Sequence, residues 1–341
     1  MLTRKELKEI RKELDNCANP IFFFHDDPDG LASFLLLYRY KKDGHGVIVK
    51  SHPKIVEEFA KKVKYYNADK VFILDLALVD QEFIDAVKVP VVWIDHHGPL
   101  KRRGVKYFNP RTRNPKDNFP VSYICYLAVK GELWIAMLGT VGDWFMPKFA
   151  KTFMKRYPDL LPANIKKPED ALFKTRLGDL IRISSFVTKG KISEVMKCVK
   201  IFTRIKSPYE ILNQETAQGK YIYRRYEKIN KEYKILLRRI LKSKKGKKIL
   251  VFPYKEIKHC FTKELANELL YLFPDKVILI AREKAGEMKT SLRARDVVLP
   301  PIVKKVFTEI EGYGGGHEHA CGAVVKKKDF DRFVKLIEDN I

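Results

Sequence analysis

The sequence predicts an α/β protein in which an N-terminal parallel-sheet domain is joined by a helical linker to a smaller α/β C-terminal domain. Three observations carry this. Short apolar runs rich in β-branched and aromatic residues (Pro20-Ile21-Phe22-Phe23-Phe24, Val71-Phe72-Ile73-Leu74 and Val91-Val92-Trp93-Ile94) alternate with helical patterns, as the buried strands of a parallel sheet do. Each run ends on ionisable residues, and open α/β sheets collect their chemistry at the carboxyl ends of strands. From about Met146 the chain changes to helical segments punctuated by proline, and strand-like runs resume only at Lys248. The expected divisions are 1–145, 146–245 and 246–341.

At 341 residues the chain is long enough for two cores. Its 45% hydrophobic and 32% charged residues exclude a disordered chain. No apolar run approaches the roughly 20 residues of a spanning helix. The start, Met1-Leu2-Thr3-Arg4-Lys5-Glu6-Leu7-Lys8, lacks the apolar core of a signal peptide. A cytoplasmic location without membrane contact is therefore expected. Cys17, Cys125, Cys198, Cys260 and Cys321 are scattered, with no Cys-x-x-Cys pair, so neither a disulfide framework nor a cysteine zinc site is expected. The net charge of +25 points to a polyanionic partner, most often nucleic acid; a lysine-rich solvated surface is the other reading of the same charge.

The elements follow in order. Residues 3–16 read as a helix opened by a Thr3/Glu6 capping box. The strand at 20–24 runs into His25-Asp26-Asp27-Pro28-Asp29-Gly30, and a helix follows over 31–40. A capping turn needs one carboxylate, not three, and a divalent cation relieves such crowding. Residues 47–50 read as a strand, 54–64 as a basic amphipathic helix, and 71–76 as a strand ending on the single carboxylate Asp75. The strand at 91–94 ends in Asp95-His96-His97, two neighbouring imidazoles beside a carboxylate. Residues 101–118 read as an exposed Arg/Asn/Pro loop. Helices over 121–129 and 133–138 lead to Gly139-Thr140-Val141-Gly142-Asp143, where glycines bring a carboxylate close to a neighbour.

His25, Asp27, Asp29, Asp75, His96, His97 and Asp143 together make a carboxylate–imidazole set without thiolate, which suits manganese or magnesium better than structural zinc. A carboxylate shared between two ligand groups is what two cations about 3.5–4 Å apart require, and their common chemistry is hydrolysis at phosphorus.

With these motifs assembled, the chain resembles the DHH phosphoesterase superfamily, named for the triplet present here as Asp95-His96-His97. Its first motif matches His25-Asp26-Asp27-Pro28-Asp29-Gly30, its second Asp75, and its fourth Gly142-Asp143. Gly314-Gly315-Gly316-His317 resembles the glycine-rich signature of the DHH-associated second domain, so the resemblance covers nearly the whole chain. It implies that His25, Asp27 and Asp29 supply a first metal, that Asp75 bridges, and that His96 and Asp143 complete a second metal. His97 then stands nearer the phosphate, and Asp95 and His97 are the catalytic pair. Some relatives carry a further carboxylate two positions after Asp29; this chain has Leu31 there, which resembles the RecJ-type branch. Two divalent ions are implied, manganese preferred, with magnesium or cobalt as substitutes.

Beyond Met146, residues 148–157, 171–187, 191–202 and 210–242 read as helices, the last dense in Tyr, Lys and Arg. The basic run at 243–248 marks the boundary. In the second domain, 248–252, 276–281 and 287–295 read as strands, the last two joined by a turn at 282–286, with helices at 262–272 and 328–337. Arg293 and Arg295, two apart, share a strand face. They read equally as a substrate contact or as charges blunting an edge strand. Among relatives an arginine on this strand contacts substrate, which implies Arg293. Consecutive glycines let backbone N–H groups approach a phosphate or base, so Gly314, Gly315, Gly316 and His317 form the expected substrate loop.

The expected function is a manganese-dependent phosphodiesterase, an exonuclease on single-stranded DNA or RNA that releases nucleoside 5′-monophosphates. Replication or repair proteins are conceivable partners. Two alternatives stay open: an enzyme for nanoRNA, cyclic dinucleotides or other short substrates, and a non-catalytic replication or repair scaffold on the same fold.

Overall fold

The computed structural model describes residues 1–50, 54–243 and 246–341; Lys244 and Lys245 of the expected boundary run lie outside the described residues. The chain divides into two compact units, Met1–Tyr226 and Glu227–Ile341.

In the first unit the chain runs α1 (Arg4–Asp15), β1 (Pro20–His25), α2 (Pro28–Lys41), β2 (His45–Val49), β3 (Lys54–Ile55), α3 (Ala60–Tyr65), β4 (Lys70–Leu74), β5 (Leu78–Val79), α4 (Gln81–Ala86), β6 (Val91–Ile94) and β7 (Val105–Phe108). Helices follow: α5 (Val121–Val129), α6 (Leu133–Gly142), α7 (Ala150–Arg156), α8 (Pro168–Lys174), α9 (Arg176–Val187), α10 (Ile192–Phe202) and α11 (Pro208–Leu212). The long α12 (Ala217–Lys242) carries the chain into the second unit.

Five strands form one all-parallel sheet in the order β2-β1-β4-β6-β7. Alternate side chains leave on opposite faces, and both faces are covered, which is why these strands read as unbroken apolar runs. Ile21, Phe23, Ile73 and Trp93 pack on one side against Val63, Phe83 and Ile84. On the other, Phe24 stacks on Phe34 of α2 at 4.6 Å between ring centroids. Two glycines of α6 set how closely its neighbours approach. A Cβ at Gly139 would stand 2.6 Å from the Ala32 Cβ, and one at Gly142 would stand 2.6 Å from the Pro28 Cβ. The Gly139–Gly142 spacing therefore serves helix packing, and Asp143 is delivered by the end of the helix.

Several elements differ from the sequence reading. Residues 54–64 hold the two-residue β3, a 3-10 turn (Glu57–Phe59) and only then α3. The loop at 101–118 contains β7, the edge strand of the sheet. Only Phe108 of its four residues is buried, and Lys106 reaches outward to Glu9 and Glu13, so its pattern is too short and mixed to stand out. Residues 171–187 are two helices broken at Thr175, whose extended backbone lets its hydroxyl cap the Gly178 N–H. Residues 210–242 likewise break, because a Ser207/Glu210 capping box opens the separate α11.

The second unit continues with β8 (Ile249–Lys255), α13 (Thr262–Leu272), β9 (Val277–Lys284), β10 (Glu287–Arg293), α14 (Leu299–Val306), β11 (Gly312–His317), β12 (Ala320–Lys326) and α15 (Phe330–Asp339). Its mixed sheet has the order β11-β12-β10-β9-β8, with only β8–β9 parallel. β9 and β10 meet at a tight turn in which Ala285 and Gly286 both have positive φ, 51° and 77°. Leu279, Leu292 and Val325 pack on one face with Leu299, Val303, Phe333 and Ile337. The glycine-rich stretch at 312–317, expected as a loop, is the edge strand β11. Among the described residues no helix is long and apolar enough to cross a membrane.

Candidate metal centre

The order β2-β1-β4 reverses direction at β1, and ligand sites of such sheets form at the carboxyl ends beside that switch. β1 ends on His25. The chain then turns through Asp27, which caps α2 by accepting a hydrogen bond from the Gly30 N–H at 3.1 Å. A Cβ at Gly30 would lie 2.5 Å from the His25 carbonyl oxygen, so glycine is what lets α2 begin this close to the strand end. β4 ends at Leu74, and Asp75 follows with φ of 58°, a left-handed backbone rarely adopted by non-glycine residues. Its N–H donates to the Ile94 carbonyl at 3.0 Å, tying the end of β4 to that of β6. Asp95, His96 and His97 come directly after β6, and Asp143 ends α6.

These residues meet in three overlapping groups: His25, Asp27 and Asp75; Asp75, His96 and His97; and Asp29, His96 and Asp143. Asp75 is common to two, and its oxygens divide between them. Oδ2 lies 3.4 Å from His25 Nδ1, whereas Oδ1 lies 3.3 Å from His96 Nε2 and 3.9 Å from His97 Nδ1. His25 Nδ1 also lies 3.2 Å from Asp27, and His96 Nδ1 lies 3.8 Å from Asp143. Asp29 stands with His96 and Asp143 rather than with His25 and Asp27. It also receives the start of α5, accepting from the backbone N–H groups of Val121 at 2.8 Å and Ser122 at 2.9 Å and from the Ser122 hydroxyl.

The donor set fits divalent cations. Asp29, Asp75 and His96 are at most 4% exposed, so their charges are poorly solvated. His25 Nδ1 and Asp75 Oδ1 are buried and, although each lies close to a charged neighbour, neither makes a well-aligned hydrogen bond, which leaves them poorly satisfied. Burial disfavours charge on His25 and His96. Even so, Asp27 and Asp75 draw His25 well above the ordinary imidazole range, and Asp143 and Asp75 do the same to His96. Burial, with Asp75 and Asp143, pushes Asp29 well above the usual carboxylate range. Asp75 is pushed up by burial and by Asp27, but His25 and His96 prevail and hold it below that range. Protons are thus drawn into a cluster of excess negative charge, the place a cation takes.

Asp95 does not join these groups. Fully buried, it accepts from the His97 backbone N–H at 3.0 Å and lies 2.8 Å from His97 Nδ1. It is held in turn by Asn109 Nδ2 at 3.3 Å, which also donates to the His97 carbonyl at 3.0 Å and to the Tyr107 hydroxyl at 2.7 Å. Asp95 therefore positions His97. Asn109 and Tyr107 escaped the sequence reading because they were placed in a loop. The available signal was Asn109-Pro110 directly after the apolar end of an unrecognised strand.

In the second unit, Arg293 ends β10 on the face that carries Lys289 and Ser291. Its Nε donates to Asn267 Oδ1 of α13 at 2.7 Å and its Nη1 to the Leu292 carbonyl at 2.8 Å, and burial lowers the guanidinium to about 10. Gly314, Gly315, Gly316 and His317 lie on the edge strand. A Cβ at Gly314 would meet the Gly322 carbonyl oxygen at 2.6 Å and the Phe307 ring at 3.0 Å, and Gly316 has φ of 152°. Packing and backbone thus require glycine at both. At Gly315 a Cβ would meet nothing within 4 Å.

Comparison with known proteins bears on the fold. Residues 246–341 match the DHHA1 domain family. The crystal structure of RecJ from Thermus thermophilus in complex with Mn2+ superposes with a TM-score of 0.72 at 17% identity, over 99% of this chain and 55% of that one. The chain has the same fold as RecJ. Exonuclease RecJ bound to manganese gives 0.65 at 16% identity, over 99% of this chain and 95% of that one. The DHH domain of a member of the s1p family of ribosomal proteins gives 0.63 at 15% identity, over 98% and 89%. This chain spans about half the length of the Thermus RecJ chain. No curated protein matches it by sequence.

Proposed function

We propose that the protein is a metal-dependent phosphodiesterase, an exonuclease that shortens single-stranded DNA or RNA from an end and releases nucleoside 5′-monophosphates, with manganese as its preferred cation. The observation that carries this reading is Asp75. It is a buried carboxylate in a left-handed backbone, with one oxygen toward His25 and the other toward His96 and His97. The left-handed backbone sets its carboxylate between imidazoles on both sides, and that placement supports a functional role.

His25, Asp27 and Asp75 would hold one cation; Asp75 and His96, with Asp143 and Asp29, would hold the other. Two cations so held supply Lewis-acid activation of water and stabilise negative charge gathering on phosphorus oxygens. The chain's own residues do the rest. The Asp95 carboxylate, 2.8 Å from His97 Nδ1, fixes the ring and leaves Nε2 to face a phosphate oxygen. Arg293 presents a guanidinium that stays charged at neutral pH, suited to a substrate phosphate. The net charge of +25 favours an oligomeric polyanion over a dinucleotide. Replication or repair proteins are the partners proposed to act beside it.

The test is cleavage of end-labelled single-stranded DNA and RNA by the purified protein with manganese, beside an Asp95→Ala, His96→Ala double variant. A ladder or mononucleotide product that disappears in the variant supports the exonuclease and shows its direction. Cleavage confined to di- to tetranucleotides supports the short-substrate alternative. Tight binding without cleavage in manganese, magnesium or cobalt leaves only a scaffold.

A further inference from the structure

The open part of the second unit's sheet carries an ordered set of side chains that Arg293 and the glycines do not exhaust. β11, β12 and β10 are in register, and the residues facing away from the core form three cross-strand rows: His317, Ala320 and Arg293; Gly315, Gly322 and Ser291; and Tyr313, Val324 and Lys289. Gly312 and Gly314 face the other way, where a Cβ on either would strike the Phe307 ring. In the middle row Gly315 and Gly322 form a floor without side-chain relief, bordered by Ser291, and packing does not demand the glycines. A Cβ at Gly315 would meet nothing within 4 Å, and one at Gly322 only the Thr290 carbonyl oxygen, at an ordinary 3.6 Å.

Tyr313 borders this floor and is 59% exposed, an aromatic ring on a solvent-facing edge strand. Lys289 shares its row and is paired only loosely with Glu287, at 3.6 Å with both side chains more than 40% exposed, a contact of little energetic weight. From Tyr313 to His317 is four residues, about 13 Å along the strand. That separation suits two nucleotide units rather than one. An exposed ring, a flat floor and cations at both ends are the parts from which single-strand sites are built: stacking supplies sequence-tolerant affinity and the cations track the backbone.

We propose that Tyr313 is a base-stacking platform for a second nucleotide of a single strand, with the Gly315–Gly322 floor admitting the sugar-phosphate and Lys289 meeting the next phosphate. The inference rests on the reading above, because it takes the first nucleotide to lie at Arg293 and His317. It gives the protein a preference for strands of at least two nucleotides and little selectivity among bases.

The experiment measures Kd for fluorescently labelled mono- and trinucleotides with the full-length protein in EDTA, so that nothing is cleaved. Tyr313→Ala, Tyr313→Phe and Gly315→Val are compared with wild type, and each fold is checked by circular dichroism. Wild type should bind the trinucleotide more tightly than the mononucleotide. Tyr313→Ala should weaken trinucleotide binding about 5- to 100-fold, Tyr313→Phe should keep it, and Gly315→Val should lose it by filling the floor. A length advantage that survives in Tyr313→Ala, or that Tyr313→Phe loses equally, overturns the platform. So does a wild-type protein that cleaves oligonucleotides without any length advantage, which leaves the exonuclease reading standing. A wild-type protein that neither binds nor cleaves oligonucleotides overturns both.

Discussion

At the scale of single residues, the site separates side chains that could hold a cation from side chains that hold those in place. Asp95 belongs to the second kind. It is buried, tied to His97 through both the ring and the backbone N–H, and supported by Asn109. Outer partners of this sort typically change metal affinity or activity by about 10- to 100-fold when removed. Asp95→Asn and Asn109→Ala should therefore each lower turnover by about that factor. The double variant should lose little more than either single one, because both act through the same imidazole. Losses that multiply in the double variant would show two independent roles. Asp75 is different: its oxygens face two groups at once, so Asp75→Asn is expected to be more damaging than either.

At the scale of elements, much was legible. The strands ending in Asp75 and Asp95 and the Thr3/Glu6 cap were readable because buried strands and capping boxes leave short, local patterns. What escaped depended on distant partners. β7 is a strand because it completes an edge beside β6, not because its four residues insist on it. β11 looked like a loop because glycine lacks strand propensity, yet pairing with β12 and the ring of Phe307 beneath make glycine the residue that fits. Gly139 was readable as a close approach, but not as one helix meeting another. The capping box also makes an acid-stability prediction. Burial alone would raise the Glu6 carboxyl, but Arg113 and the Thr3 cap bring it down to about 2. Its folded value lies below the unfolded one near 4.5, so its stabilisation is complete above that pH and is lost as pH falls toward 2. Glu6→Gln should flatten the acid limb of the stability curve between about pH 4.5 and 2, measured by urea unfolding at stepped pH. An unchanged slope there would contradict the pairing with Arg113.

At the scale of the whole molecule, two compact units carry different sets of side chains. The first brings carboxylates and imidazoles from the ends of three parallel strands and from two helices to one place. The second presents cations, glycines and an aromatic ring on an open sheet. The strand-end motifs foretold where the cluster gathers, because groups at the carboxyl ends of a parallel sheet follow its strands in sequence. Which oxygen of Asp75 faces which imidazole was not legible, since that depends on a backbone angle no residue type announces. The central claim is that Asp75 is shared by two cations, and anomalous diffraction from crystals grown with manganese tests it most directly. Two peaks about 3.5–4 Å apart are expected, one on each side of Asp75, with the loss of at least one in Asp75→Asn. A single peak that Asp75 does not touch, or no peak within this cluster, would contradict it.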